Sequence, residues 1–468
     1  MKIKTLYLPG FSHYLCGRRA KSTAESLTSA AIELGGLATL GGKFLPSSLF
    51  TKNHGQRDRL FTSGVTFWAF LAQVLSRRSS CREAVRRVQA WCVTGRHPLP
   101  DEGTSAYCQA RKRLPLPLVQ RAFAAVERWL EVRLSAAQQW CGRSVKVLDG
   151  SGISMPDTAA NRQLWPYAVG QSPGCGFPTA QIVGLFCLGT GRLIRFALGT
   201  WKAHEIPLAR QLLAWMRPGE VVLADRGFCG WGFIAALQRQ GVDVVVRVNQ
   251  ARRIKHGLMT WRRPKYRPSS TWEMPLWRAL PDELQMRIVR FRIEAPGFRT
   301  TEVVLATTLL DQKAYPDEAL IELYRRRWEI ELCFRDIKSI LGLDVLRCQT
   351  PALIEKEIWM QAIAYNLVRA LMLEAAMTHQ VPLDRLSFKG TVDTIRNWAP
   401  LFQTPPSNRS HRAELLLRLA CDQVPLRPNR NEPRARKRRP KRYQFLTKPR
   451  REMRVYVRHR GTPAPELN

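Results

Sequence analysis

Between residues 144 and 248 the chain alternates short apolar runs with helix-like stretches in an order that few folds accommodate. SVKVLD (144–149) is a short apolar run ending in Asp149, and IVGLFCLG (182–189) and RLIRFALG (192–199) are two further strand candidates around the turn at Thr190-Gly191. A helix from about His204 to Met216 follows, and then EVVLAD (220–225), a buried-type strand ending in Asp225. A helix near Trp231 to Gln240 and the strand DVVVRV (243–248) complete the series. The expected class is α/β.

The flanks differ in character. Residues 1–142 read as helical and basic. Ser80-Cys81-Arg82-Glu83 fits a capping box, a second helix starts at Thr104 or Ser105 and ends in Arg111, Lys112 and Arg113, and a third covers Leu118 to Leu134. Residues 250–315 are rich in Arg, Trp and Pro and contain the strand-like MRIVRFRIE (286–294) and TEVVLATTLL (301–310), the expectation being a β-rich insertion. A long helix begins at Pro316 and runs to about Leu341, and another covers Ile354 to about Met377. The expected organisation is a helical domain over 1–142, either a DNA-reading module or a plain helical bundle with a solvated basic face, and a first part of the core over 143–249. The insertion over 250–315, a helical second part over 316–400 and a basic C-terminal region over 401–468 complete it. By analogy, three strands, a helix, a strand, a helix and a strand is the order of a ribonuclease-H-like sheet, although fold alone does not give function.

Charge narrows the partner. The 468 residues hold 74 Lys and Arg against 37 Asp and Glu, a formal net charge of +37. So basic a chain repels itself unless salt or a polyanion screens it, and nucleic acid is the natural partner. Residues 427–460 alone carry fifteen Lys or Arg against Glu432 and Glu452, densest in RARKRRPKR (434–442). That composition fits both a solvated tail and a non-specific phosphate clamp. Eleven cysteines include no CxxC pair, which argues against zinc-ligand spacing and for reduced thiols in a cytosolic setting. The longest apolar candidate, Trp359 to Met377, carries Arg369 and Glu374 and reads as a buried helix rather than a membrane span. The expectation is a cytoplasmic, polyanion-binding protein that meets no membrane, and charge alone does not separate DNA from RNA.

The sharpest chemical signal lies in the helix near residue 330. Tyr324, Arg327, Glu331 and Lys338 stand at offsets 0, 3, 7 and 14. On an ideal α-helix they share one stripe about 60° wide, bordered by an apolar stripe of Leu323, Ile330, Phe334 and Ile337. One carboxylate flanked by Arg and Lys can share a divalent metal while the cations hold phosphate oxygens. A salt-bridged helix face, Glu331 pairing with Arg327 and Arg335, explains the same residues taken alone. The context adds Asp149 and Asp225, each at the end of an apolar run where a sheet commonly presents ligands. Three carboxylates with hard oxygen donors suit Mg²⁺ or Mn²⁺. Asp157 competes with Asp149 but follows Pro156 in a loop-like stretch and ranks below it.

These residues also carry a resemblance. YRRRWEIELCFRDIK, with Tyr324, Arg327, Glu331 and Lys338, matches Y-x2-R-x3-E-x6-K, and the sequence thereby resembles insertion-sequence transposases of the insertion-sequence-four group. LDGSGISMPDTAANRQLWP (148–166) is similar to their first-aspartate block and LADRGFCGW (223–231) to their second, so similarity runs in patches from about residue 144 to 450. The resemblance implies that Asp149, Asp225 and Glu331 form a DDE catalytic triad holding two Mg²⁺ or Mn²⁺ ions per active site. It further implies that Tyr324, Arg327 and Lys338 bind DNA phosphate, and that a β insertion fills the 106 positions from Asp225 to Glu331. The implied activity is cut-and-paste DNA transposition, a two-metal phosphoryl transfer in which the enzyme acts as endonuclease and strand transferase. The implied partners are double-stranded DNA, both the element's terminal repeats and the target, with a dimer on DNA. A Trp of the insertion (Trp261, Trp272 or Trp277) could stack on a flipped base, but each is more simply an anchor of the insertion's own core. Two rival readings stay open: a ribonuclease-H-like nuclease that cuts without joining strands, and a catalytically inactive basic DNA-binding protein whose acids only form ion pairs.

Overall fold

The computed structural model describes residues 35–425 apart from 51–59, 78, 96, 168–173, 249–255, 269–270, 293–301 and 404–407, together with 449 and 452. The basic run RARKRRPKR (434–442) lies outside the described residues.

Among the described residues five α-helices precede the sheet: α1 (Gly35–Gly41), α2 (Ser63–Leu75), α3 (Cys81–Gly95), α4 (Ser105–Arg113) and α5 (Leu116–Glu131). The Ser80 hydroxyl accepts from the Glu83 N–H at 3.1 Å and so caps α3. The strands and helices of the middle of the chain are β1 (Val145–Ser154), α6 (Ala159–Leu164), β2 (Thr179–Cys187), β3 (Leu193–Thr200), α7 (Glu205–Gln211), β4 (Val221–Ala224), α8 (Trp231–Arg239) and β5 (Asp243–Arg247). After them come β6 (Gly257–Arg262), α9 (Met274–Arg278), β7 (Glu283–Arg292), β8 (Glu302–Thr307), α10 (Asp317–Arg335), α11 (Pro351–His379), α12 (Phe388–Trp398) and α13 (Asn408–Cys421).

The eight strands among the described residues form one sheet in the order β3-β2-β1-β4-β5-β8-β7-β6. The pairs β1–β4 and β4–β5 are parallel, and every other neighbouring pair is antiparallel. Several boundaries differ from the sequence-based expectation; the helix expected over about 204–216, for example, is α-helical only over Glu205–Gln211. β1 does not stop at Asp149: its register with β2 continues from Asp149↔Gly184 to Ser154↔Thr179, because the second strand supplies ladder partners the whole way. The strands β6, β7 and β8 join the core sheet. β8 pairs with β5 through Val246↔Ala306, and β7 and β6 extend the sheet outward, which covers an edge of β5 that would otherwise offer unpaired backbone groups.

Alternation along the central strands sends side chains to two cores. Val147, Val221, Leu223 and Val245 face the helices α10 and α11, whereas Leu148, Val222, Ala224, Val244 and Val246 face α7 and α8. The 29-residue α11 is apolar nearly all round and buried along most of its length, as such a helix must be in a soluble core. α2, α5, α12 and α13 pack around it, so the helices before residue 142 share a core with the second half of the chain. One basic residue at the end of α4 is turned inward: Arg111 is buried, stacked over the rings of Phe70 and Tyr107, while Lys112 and Arg113 stay exposed. Among the described residues no helix is long and apolar enough to cross a membrane.

Candidate active site

The parallel pairing of β1 with β4 ends at Leu148↔Ala224, and the next residue on each strand is Asp149 and Asp225. Strand register thus brings the backbones of two acidic residues to neighbouring positions at the centre of the sheet. Asp149 Oδ1 accepts from the Gly150 N–H at 3.0 Å. Burial pushes the Asp149 carboxyl up to about 6; Arg327 opposes the rise, and the nearby charges of Glu331 and Glu205 add to it. Asp225 follows β4 directly, and its Oδ1 is buried with no hydrogen-bond partner among the described residues.

α10 crosses above this point, packed on β1 and β4. Leu323, Ile330 and Phe334 are buried beneath it and fix its rotation, which buries Tyr324 and Arg327 and leaves Glu331 partly exposed. The Arg327 guanidinium donates through Nη2 to Glu331 Oε1 at 2.7 Å. Burial raises the Tyr324 phenol, and the charges nearest it are those of Arg327, Asp225 and Arg247. Trp328, one residue on, is half exposed.

Lys338 reaches the site by another route than the ideal-helix stripe. The α-helix ends at Arg335 and a π-helical turn, Asp336–Leu341, takes over before Gly342 stops it at φ 94°. The wider turn changes the angle per residue, so an offset of 14 from Tyr324 no longer measures where Lys338 points. Its Nζ donates to Ser151 Oγ, two residues beyond Asp149, at 2.5 Å. The chain then ties itself to the end of β1, with Ser154 bridged to Val345.

Asp157 stands elsewhere: its Oδ1 accepts from Arg162 at 2.9 Å and from the Tyr167 hydroxyl at 2.5 Å. Trp272 and Trp277 are buried and pack against Gly232 of α8, so they join the core shared with β1 and β4 rather than a core of the insertion's own. Three residues at the site escaped the sequence reading. Ser151 and Arg247 are ordinary strand residues with no signal of their own. Glu205, the first residue of α7, reaches both aspartate blocks; the signal for it was a glycine just after each aspartate, Gly150 and Gly227. As placed, no three His, Cys, Asp or Glu side chains among the described residues lie close enough to share one ion, Glu331 being turned to Arg327.

Comparison with known proteins gives a consistent set of relatives. A family model described as the transposase DDE domain matches residues 140–367. The transposase InsG for insertion sequence element IS4 of Escherichia coli (strain K12) is 26% identical over 332 residues, which is 68% of this chain and 72% of that protein. The transposase for insertion sequence element IS421 of Escherichia coli is 36% identical over 76 residues, 16% of this chain and 20% of the relative. Among solved structures, the piggyBac transposase synaptic complex with hairpin DNA aligns over 86% of both chains at 10% identity, with a TM-score of 0.42.

Proposed function

The chain belongs to the DDE transposases, and on that premise we propose that Asp149, Asp225 and Glu331 are the carboxylates that hold its catalytic cations. Its activity is cut-and-paste transposition: cleavage at the ends of an element and transfer of the freed strand into target DNA. The observation that carries the residue assignment is the register Leu148↔Ala224, which sets Asp149 beside Asp225 directly under the helix bearing Glu331. The order β3-β2-β1-β4-β5, antiparallel for three strands and parallel thereafter, supports a ribonuclease-H-like core.

The residues fit a hard divalent cation. All three are oxygen donors, and Asp225 Oδ1 is buried without a partner of its own. Two Mg²⁺ or Mn²⁺ ions, when bound, would activate the attacking oxygen and stabilise the leaving oxygen of an in-line displacement. Glu331 is held by Arg327 and would leave that guanidinium to join the aspartates. Arg327, freed on one side, offers a planar fork to a phosphate oxygen pair. Lys338, held near Asp149 through Ser151, places a point charge on the adjoining phosphate, and Tyr324 supports the same group from the buried side. The α3–α4 region presents Lys112 and Arg113 to the element's end, and two protomers pair two ends on DNA.

The test uses the purified full chain and a labelled duplex carrying its element's end. Nicking at that end with Mg²⁺ or Mn²⁺, abolished by chelator and by Asp225→Asn while end binding persists, is the expected result. Cleavage by Asp225→Asn at the normal rate would remove the assignment.

A further inference from the structure

Each aspartate of the pair is followed closely by glycine, Asp149-Gly150 and Asp225-Arg226-Gly227. Neither glycine is needed for its backbone, because neither has positive φ. Space explains both. A Cβ on Gly150 would lie 2.2 Å from Glu205 Oε1, and a Cβ on Gly227 would lie 2.5 Å from Glu205 Oε2. The two oxygens of one carboxylate thus occupy the room that two missing side chains leave, one beside each aspartate block. Gln181 of β2 donates to Oε1 at 3.4 Å, and among the described residues no Lys or Arg pairs with Glu205.

A third negative charge beside two carboxylates, without a basic partner, is unfavourable unless a cation gathers them. The unpartnered, buried Asp225 Oδ1 in the same place points to the same need. We propose that Glu205 is a fourth carboxylate of the catalytic centre. It fixes the spacing of Asp149 and Asp225 by lying between their following glycines, and it supplies negative charge on which their affinity for divalent cation depends. This rests on the reading that Asp149 and Asp225 hold the cation. Glu205 is a positioning residue that acts through the aspartates.

Glutamine at 205 keeps the shape and removes the charge, so it separates a packing role from an electrostatic one. Mn²⁺ binding to the full chain on an end duplex, read by electron paramagnetic resonance of free Mn²⁺, is compared for the natural protein, Glu205→Gln and Asp149→Asn. Glu205→Gln should bind Mn²⁺ about tenfold more weakly or worse, with unchanged melting temperature and unchanged end binding in chelator. Gly150→Ala, which pushes the carboxylate aside without removing it, should shift affinity in the same direction. Where Glu205→Gln does not fold, Glu205→Ala, which opens space instead of filling it, must show the loss. Natural Mn²⁺ affinity in Glu205→Gln, with affinity lost in Asp149→Asn, overturns the fourth-carboxylate role and leaves the triad standing. Natural affinity in both overturns the triad reading and this inference with it.

Discussion

Arg327 Nη2 lies 2.7 Å from Glu331 Oε1, on a helix whose rotation buries the guanidinium and leaves the carboxylate partly exposed. The cation proposed for a DNA phosphate therefore also neutralises the glutamate of the proposed triad. Replacing either partner disturbs both roles. Glu331→Gln should lower end cleavage by about 10²–10³-fold or more while end binding holds. Arg327→Lys should also lose cleavage, because a point charge cannot grip two oxygens as the planar fork does. Gel assays of cleavage and binding on one duplex check both; a fully active Arg327→Lys would show that the fork is unused.

Metal affinity should depend on pH through Asp149. Burial, the largest cause, raises its carboxyl to about 6, so below that pH a proton occupies the oxygens a cation needs. Mn²⁺ affinity should climb as pH rises from 5 to about 7 and then level off, and Asp149→Asn should lose the affinity and its pH dependence together. The same shift bears on stability with a definite sign. A carboxyl whose folded value is raised binds more protons folded than unfolded, so its contribution is present at low pH and is lost as pH rises through about 6. Titrations of Mn²⁺ at fixed pH, and urea melts in chelator across the same range, read the two effects separately.

Lys338→Ala should weaken end binding at all sequences alike and reduce the slope of log affinity against log salt by about one. Binding isotherms between low and moderate salt give the slope; an unchanged slope would place the lysine's charge away from phosphate. Ser151→Ala, which removes the hydroxyl that Nζ meets, should leave the slope nearly intact.

Gly191→Ala is expected to destabilise the protein by about 1–3 kcal/mol without altering the catalytic chemistry. Gly191 has φ +68°, and a Cβ there would lie 2.5 Å from Arg369 Nη2. Its carbonyl also accepts from the Tyr365 hydroxyl at 2.6 Å, so the β2–β3 turn is tied to α11. Denaturant unfolding of the variant measures the loss.

The positions of the candidate site residues were legible because they sit at fixed places in strong patterns. EVVLAD could only be a short buried strand, and its last residue had to emerge at a strand end. The apolar residues Leu323, Ile330 and Phe334 set the rotation of α10, and that rotation is a local property of the sequence. Lys338 was legible in identity but not in direction, since the π-helical turn at Asp336–Leu341 arises from how the chain must meet the end of β1. The extra length of β1 and the joining of β6, β7 and β8 to the core sheet were not legible, because strand partners are chosen by non-local hydrogen bonding.

Alone, the sequence determined the strongly basic charge, the α/β order and the identity of the candidate carboxylates and cations, since composition, periodicity and residue type are local quantities. Only the tertiary structure decided that Asp149 and Asp225 stand side by side, that Arg111 is buried rather than offered to DNA, and that Glu205 lies between Gly150 and Gly227. Each of those facts depends on the register between strands distant in sequence or on space left by a side chain that is absent, and neither is written in any one segment of the chain.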